Sequence, residues 1–405
     1  MSISEIREQF PVLHQEVNGK PLIYFDNAAT SQKPKTVVDA LVNYYNADNS
    51  NIHRGIHTLA ERATTAYEET RKAAQAFINA PESEEIIFTK GTTDGINLVA
   101  QAYGRKFVKA GDEIIITAME HHSNIVPWQL LCNQTGAKLK VIPINERGEI
   151  IFEEYEKLLS EKTKIVSIGY ISNALGSINP IEKVISAAHK VGAKVMIDAA
   201  QAAPHLKIDV KSLNCDFLAL SSHKMYGPTG VGVLYGKRQL LEKMDPYQGG
   251  GEMINEVSFE KTTYNDIPYK FEAGTPNIAD VVAFKAAIQF VEEIGHDFLQ
   301  SHEQILLDHA TSELKNVDGF IPVGTAANKA GVVSFNIEGI HPFDLGMWLD
   351  AKGIAVRTGH HCTQPLMDFF CIEGTVRASF AVYNSVEEID QFVIALKDTV
   401  KRFRK

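Results

Sequence analysis

EIIIT at residues 113–117 is the first of four short apolar segments that decide the fold. The others are LKVIPI at 139–144, KIVSIG at 164–169 and KVMID at 194–198, and mostly helical-looking segments separate them. Short buried strands that alternate with helices form βαβ crossovers, in which neighbouring strands run parallel. The pattern therefore predicts an α/β fold with a mostly parallel sheet.

The pattern changes near Phe284, where a helical stripe of apolar residues begins that ends at a glycine. Beyond it the strand-like segments, such as GVVSFN at 331–336, predict a separate α+β unit. We therefore expect a large α/β domain over residues 26–283 and a smaller α+β domain over 284–405. Residues 1–25 contain a short amphipathic helix and are expected to form an arm that packs near the smaller domain.

The composition is typical of a globular protein. The chain has 405 residues, of which 44% are hydrophobic and 22% are charged, and its formal net charge is -10. No apolar run approaches the roughly 18 residues of a membrane span, and the start MSISEIREQF has no apolar signal core, so we expect a cytoplasmic protein. An acidic balance without a basic block argues against nucleic acid as the main partner.

The four cysteines are scattered along the chain and include no CxxC pair. This spacing is typical neither of a disulfide framework nor of a zinc knuckle, so each cysteine is interpreted alone. Cys132 and Cys215 lie in apolar segments and are expected to be small core residues. The other two are Cys362 and Cys371.

Lys224 lies in the stretch SSHKMYGPTG at residues 221–230, between two apolar segments that are predicted to be strands. A lysine in such a turn is partly desolvated, which favours the neutral, nucleophilic amine that can form a Schiff base with a carbonyl cofactor. The structural alternative is a solvated turn lysine, because most lysines are exposed.

A carbonyl cofactor such as pyridoxal 5′-phosphate needs a phosphate cradle, an acid for its ring nitrogen and a group against its ring. KGTTDG at 90–95, with Thr93, precedes a helix and offers N–H groups to an anion. Asp198 ends a predicted strand, and His121 follows another. Each also has a structural interpretation as a helix cap or loop residue. Arg377 is flanked by apolar residues and needs an anion, either a structural carboxylate or a substrate.

The loop VRTGHHCTQP at 356–365 contains Arg357, His360, His361 and Cys362. Nearby positive charge favours the thiolate, which is the nucleophilic form of cysteine. A structural cysteine and a metal site are the alternatives. The metal site is disfavoured because adjacent histidines on a strand point apart and no CxxC supplies further ligands.

These motifs together resemble a known family. SSHKMYGPTG, IDAAQAAPH, KGTTDG, MEHHSNIVPWQ, FEAGTPN, RTGHHC and RASF are similar to motifs of the group II, SUF-type cysteine desulfurases, which are class V, fold type I enzymes that use pyridoxal 5′-phosphate. The resemblance runs from the N-terminal arm to the last helix. It implies conversion of L-cysteine to L-alanine with a persulfide on Cys362, and sulfur supply for iron–sulfur cluster assembly.

The resemblance also implies a role for individual residues. Lys224 matches the Schiff-base lysine, Cys362 the persulfide-forming cysteine, and His121 the histidine that stacks on the ring and can carry a proton. The implied cofactor-binding residues are Lys224, Asp198, Gln201, His121, Thr93, Asp94, Ser221, His223 and Thr275, the last from the partner subunit of a homodimer. The implied substrate-binding residues are Arg377, Asn173 and Arg357. Asp94 and Thr363 occupy positions where this chain departs from relatives.

The implied partner is a sulfur-acceptor protein of the SUF system. His341 resembles a histidine that becomes a zinc ligand in zinc-dependent acceptor systems, although a plain surface histidine is the simpler interpretation. Two other functions stay open at this point. One is selenocysteine lyase, which shares nearly all these residues. The other is a non-catalytic scaffold that binds metal or sulfur through residues 360–362.

Overall fold

The computed structural model describes residues 2–404, and its centre is one large sheet. In the described residues the strands of this sheet are β1 (Ile86–Thr89), β2 (Glu113–Thr117), β3 (Lys138–Ile142), β4 (Thr163–Gly169), β5 (Lys194–Asp198), β6 (Phe217–Ser221) and β7 (Gly232–Gly236). Their spatial order is β1-β7-β6-β5-β4-β2-β3. The five strands β2 to β6 pair in parallel, whereas β7 is antiparallel to β1 and β6. The predicted α/β fold with a mostly parallel sheet is confirmed.

Helices cover both faces of this sheet. In the described residues, the α-helices of six or more residues, including those of the C-terminal part, are α1 (Lys35–Asn43), α2 (Thr58–Phe77), α3 (Thr92–Leu98), α4 (Val126–Thr135), α5 (Phe152–Leu158), α6 (Ile181–Lys190), α7 (Ile278–Ile294), α8 (His296–Leu314), α9 (Pro342–Asp350), α10 (Gln364–Phe369) and α11 (Val386–Phe403). Side chains of a strand alternate between the two faces. In β5, Val195 and Ile197 therefore join the core on one face, while Met196 joins the core on the other.

A second, antiparallel sheet follows in the C-terminal part. Its strands are β8 (Phe320–Val323), β9 (Val332–Ile337), β10 (Arg357–Gly359) and β11 (Thr375–Ser379), in the spatial order β8-β9-β11-β10. Helices α8, α9 and α11 pack on it and contribute to a separate core. Ser385 begins α11 with a capping box to Glu388, as its sequence suggests. The division of the chain at residue 284 stays a prediction.

The N-terminal segment contacts both parts of the molecule. It contains a short helix, Ile3–Arg7, and Phe10, which is fully buried with its ring against those of Tyr226, Phe290 and Tyr383. Arg7 forms an ion pair of 2.7 Å with Glu388 of α11. Within residues 2–404, no helix is both long and apolar enough to span a bilayer.

Candidate active site

A cavity of about 230 Å³ lies at the carboxyl ends of the parallel strands. This is where ligands bind in α/β sheets, because loops from several strands meet there. The structure brings eleven of the predicted site residues to its lining: Lys224, Asp198, Gln201, His121, Thr93, Ser221, His223, Asn173, Arg357, Cys362 and Arg377.

The position of Lys224 follows from the connection between β6 and β7. β6 ends at Ser221, and a single 3-10 turn, Ser222–Lys224, carries the lysine into the cavity before β7 begins. The preceding carbonyl, that of His223, accepts hydrogen bonds from the N–H of Ser31 (3.1 Å) and from Nζ of Lys33 (2.9 Å). These two hydrogen bonds fix the backbone of the turn that carries Lys224.

Asp198 and Lys224 perturb each other at the bottom of the cavity. Asp198 is the last residue of β5, directly beside β6, and it is buried. Burial lowers the pKa of Lys224 to about 8, although the negative charge of Asp198 opposes the shift. Burial likewise raises the pKa of Asp198, while Lys224 and the N–H of Ala200 oppose the rise. Desolvation therefore makes the lysine a better nucleophile, as the sequence suggested.

A phosphate-sized recess lies where α3 begins. Gly91 has a φ of 143°, a conformation that favours glycine, and a Cβ added there would lie 3.3 Å from Oγ of Ser221. Oγ of Ser221 accepts from the N–H of Thr92 at 2.9 Å. Hydroxyl groups of Ser221, Thr92 and Thr93, together with His223, line this part of the cavity. The donors and the side-chain-free recess fit a phosphate group.

His121 lies at the opposite side of the cavity as the cap of a short turn. Its Nδ1 is 2.8 Å from Oγ of Ser123 and accepts from the N–H of the same residue. Burial, followed by the charge of Lys224, lowers the pKa of His121 to about 3. The imidazole is therefore neutral near pH 7, and a neutral ring is suited to stacking on a flat cofactor or accepting a proton.

The cysteine loop is held in a strained backbone conformation. His361 and Cys362 both have positive φ, 52° and 58°, which residues other than glycine rarely adopt. The carbonyl of His361 accepts from Nδ2 of Asn173 at 2.8 Å, and the carbonyl of Cys362 accepts from the N–H of His122 at 2.8 Å. The loop therefore presents a half-buried Cys362 to the cavity. In the described part of the chain, no group of three His, Cys, Asp or Glu side chains could hold a metal ion.

Arg377 crosses from β11 into the wall of the cavity. The residue is only 2% exposed. Its Nη1 donates to the carbonyl of Asn173 (2.9 Å) and its Nη2 to Oδ1 of Asp26 (3.0 Å). Among residues 2–404, its Nε has no hydrogen-bond partner. A buried guanidinium with a free N–H is suited to a carboxylate, which can bind such a group through two hydrogen bonds.

Two predicted residues lie elsewhere. Asp94 and Thr275 line a neighbouring cavity of about 160 Å³. Asp94 faces away from the first cavity because its carboxylate accepts from the N–H of Lys90 at 3.0 Å, at the start of α3. Thr275 is exposed in this single chain, in the loop before α7.

Sequence reasoning missed Asp26 and Glu120. Asp26 follows a short strand in PLIYFDNAAT and meets Arg377, which is 351 positions away in sequence. Glu120 is buried and accepts from Oγ1 of Thr117, Nδ2 of Asn124 and the N–H of Gly169, so it fixes the turn that carries His121 against the end of β4. Burial raises the pKa of Glu120 to about 7. An acidic residue within three positions of the end of a predicted strand was the one available signal for each.

Comparison with known proteins points to one family. The family model described as Aminotransferase class-V matches residues 23–392. A probable cysteine desulfurase of Halalkalibacterium halodurans is 52% identical over 403 residues, which is 100% of this chain and 99% of the relative. A cysteine desulfurase of Synechococcus elongatus is 50% identical over 98% of this chain, but the chain spans only 63% of that relative. The solved apo structure of a cysteine desulfurase from Thermococcus onnurineus superposes with a TM-score of 0.94 at 41% identity, over 99% of each chain.

Proposed function

Because the chain belongs to the class-V aminotransferase family, we propose that it is a cysteine desulfurase, which converts L-cysteine to L-alanine and retains the sulfur as a persulfide on Cys362. One observation carries this proposal: the buried Lys224 and Asp198 line the same cavity as a half-buried cysteine. The first two are the groups of a pyridoxal phosphate site, and the cysteine is placed to take part in the reaction.

The cofactor is pyridoxal 5′-phosphate, and the residues of the cavity fit it. Lys224 would hold it covalently, Asp198 would keep a proton on its ring nitrogen, Gln201 would bond its phenolic oxygen and His121 would pack on its ring. Its phosphate would lie near Gly91, within reach of Thr93, Ser221 and His223. When bound, the cofactor supplies an electron sink that acidifies the Cα–H bond of the amino acid.

Arg377 orients the substrate. Its free Nε–H and its Nη2 bind the carboxylate of L-cysteine, and Asn173 and Arg357 border the same region. With the carboxylate fixed on this side, the substrate sulfur is directed toward the loop that carries Cys362. Asn173 also holds the carbonyl of His361, so it connects substrate binding to the position of that loop.

Lys224 handles the Cα proton. Because burial brings its pKa to about 8, a useful fraction of the amine is unprotonated near neutral pH and can remove that proton. His121 is neutral over the same range and can relay a proton by accepting at one ring nitrogen and donating from the other.

Cys362 takes the sulfur. Its thiolate attacks Sγ of the substrate, so that an S–S bond forms as the Cβ–Sγ bond breaks. The electron pair of the broken bond stays with the substrate carbon skeleton, which is protonated at Cβ and leaves as L-alanine. The reaction balances without an external oxidant, because one sulfur atom moves from the substrate to the cysteine.

Cys362→Ala tests the assignment of the nucleophile. We expect the variant to lose alanine formation from L-cysteine and to carry no persulfide, while its yellow colour and the bleaching of that colour by borohydride are kept. Cys371→Ala is the matched control, because Cys371 is exposed and does not line the cavity. An unchanged rate of alanine release in Cys362→Ala would overturn the role of this cysteine. A colourless protein that borohydride does not alter would overturn the cofactor assignment.

The finer parts of the proposal concern assembly and destination of the sulfur. The enzyme is a cytoplasmic homodimer of the SUF system, in which Thr275 reaches the cofactor phosphate of the partner subunit and an acceptor protein takes the persulfide sulfur. Exposed apolar residues support an interface between subunits: Ile56 is 97% exposed, and Phe259 is fully exposed in a hairpin that precedes Thr275. Light scattering tests this, since a monomer at micromolar concentration would refute it.

A further inference from the structure

A third cavity, of about 310 Å³, lies beside the turn that follows β5. It is bordered by the turn after β5, at His205 and Leu206, by α8, and by the loop that leads into β9. It shares no lining residue with the active cavity. Its size is suited to a molecule as small as an amino acid.

Glu303 of α8 supplies a negative charge to this cavity. The residue is only 4% exposed, and its Oε2 is 2.7 Å from Nδ1 of His205. Its other carboxylate oxygen, Oε1, is buried and has no hydrogen-bond partner in the described chain. Burying an unpaired carboxylate oxygen is costly, so this atom is placed to accept from a group that the chain itself does not provide.

Lys329 carries a positive charge and lines both this cavity and an adjoining one of about 480 Å³, which Gly324 also lines. Its Nζ donates to the carbonyl of Gly324 at 2.6 Å, and it makes no ion pair with any described residue. Burial lowers the pKa of Lys329 to about 8, so the ammonium is held without the anion that would offset its desolvation. Amide side chains of Gln300, Gln304 and Asn328 complete a polar lining.

Two short backbone segments link the lining of this cavity to the lining of the active site. His205 lies four residues after Gln201, in the same turn, with its N–H bonded to the carbonyl of Ala202. On the other border, the carbonyl of Asn328 accepts from the N–H of Ile178, and the next residue, Asn179, lines the active cavity. A ligand here would therefore contact both the turn that carries Gln201 and the segment that carries Asn173.

We propose that this cavity binds a small zwitterion of the α-amino-acid class, whose ammonium group donates to Oε1 of Glu303 and whose carboxylate accepts from Lys329. The ligand class follows from the two opposite charges that line the cavity, because a single molecule with both groups would satisfy both partners. L-Alanine, which the proposed reaction releases, is the natural probe, and that choice of probe rests on the proposed function.

Binding is tested by calorimetry on holoenzyme that has been reduced with borohydride. Reduction fixes Lys224 to the cofactor, so an added amino acid cannot bond covalently there, and the variants below separate binding in this cavity from binding at Arg377. We expect L-alanine and glycine to bind once per chain, and acetate or ethylammonium alone to bind at least about tenfold more weakly, a difference of about 1.4 kcal/mol.

Glu303→Gln and Lys329→Met assign that binding to this cavity. Glutamine keeps the acceptor for His205 but replaces the free oxygen with an N–H₂ group, which cannot accept from an ammonium. Each variant should weaken L-alanine binding by at least about tenfold. Glu313→Gln, on α8 but outside the cavity, should leave binding unchanged.

Three results would overturn the proposal: no heat of binding up to about 20 mM L-alanine, which corresponds to a free energy weaker than about 2.5 kcal/mol; equal binding of acetate; or binding that neither variant weakens. Failure of the proposed function is distinguished separately, by the colour and alanine release of the unreduced enzyme, neither of which enters this measurement.

Discussion

Asp26→Asn should weaken substrate binding without removing the substrate-binding arginine. Asp26 accepts from Nη2 of Arg377 at 3.0 Å and lies 3.6 Å from Nη1 of Arg357. Asparagine keeps the size of the side chain and an oxygen acceptor but removes the charge. The guanidinium of Arg377 then loses its one carboxylate partner within residues 2–404 and is less firmly oriented.

The size of the effect follows from this geometry. A hydrogen bond to a charged group contributes about 1.5–3 kcal/mol, and its neutral counterpart about half of that. Asp26 is partly exposed, with 20% of its side chain accessible, so solvent screens some of the interaction. We therefore expect a loss of about 1 kcal/mol in substrate binding, which corresponds to a KM for L-cysteine that is roughly fivefold higher.

Initial rates of alanine release over a range of L-cysteine concentrations give kcat and KM separately. The positioning role predicts a raised KM with a much smaller change in kcat, because the groups that move protons and sulfur are untouched. Asp39→Asn is the matched control, since Asp39 pairs with Lys35 on an exposed helix surface far from the cavity. An unchanged or lowered KM in Asp26→Asn would refute the reasoning and would indicate that Asp26 competes with the substrate carboxylate.

Two further predictions concern the lysine and the N-terminal segment. Burial lowers the pKa of Lys224 from 10.5 to about 8, so the fraction of nucleophilic amine rises as the pH increases through 8. The rate at which cofactor-free enzyme captures pyridoxal phosphate, followed by absorbance, should therefore rise with a midpoint near that pH. A midpoint above 10 would contradict the lowered pKa. Phe10→Ala removes a fully buried ring that contacts three other rings, so the free energy of unfolding in urea should fall by about 3–5 kcal/mol. Val12→Ala, at a half-exposed position, is the control and should change that free energy by less than about 1 kcal/mol.

The sequence was informative wherever a local pattern determined the structure. Buried strands such as β5 were recognised from their apolar runs, and the predicted family is confirmed by the comparisons. Asp198 and Lys224 were expected to lie together because the carboxyl ends of neighbouring parallel strands share one edge of a sheet, and the register of β5 and β6 places them so.

Other features depend on contacts that no local pattern encodes. From the sequence, the partner of Arg377 was left open between a structural carboxylate and a substrate. Asp26 accepts a hydrogen bond from Nη2 of Arg377, while Nε of Arg377 has no partner among residues 2–404. The positive φ at His361 and Cys362 could not be expected from sequence either, because neither residue is a glycine and the conformation is maintained by bonds from distant side chains and backbone groups. Glu303 and His205 meet across 98 positions for the same reason.

The attachment of the N-terminal segment has a consequence for the order in which the chain folds during synthesis. Arg7 donates to the carbonyl of Tyr383, a residue that is 376 positions further along. At about 5–20 residues per second, a ribosome needs roughly 20 to 75 seconds to make the intervening chain, so Arg7 waits that long for this partner. During this interval Phe10 lacks the ring of Tyr383, and its apolar surface is available to chaperones. The segment that carries Tyr383 therefore completes the docking of the segment that carries Arg7 and Phe10.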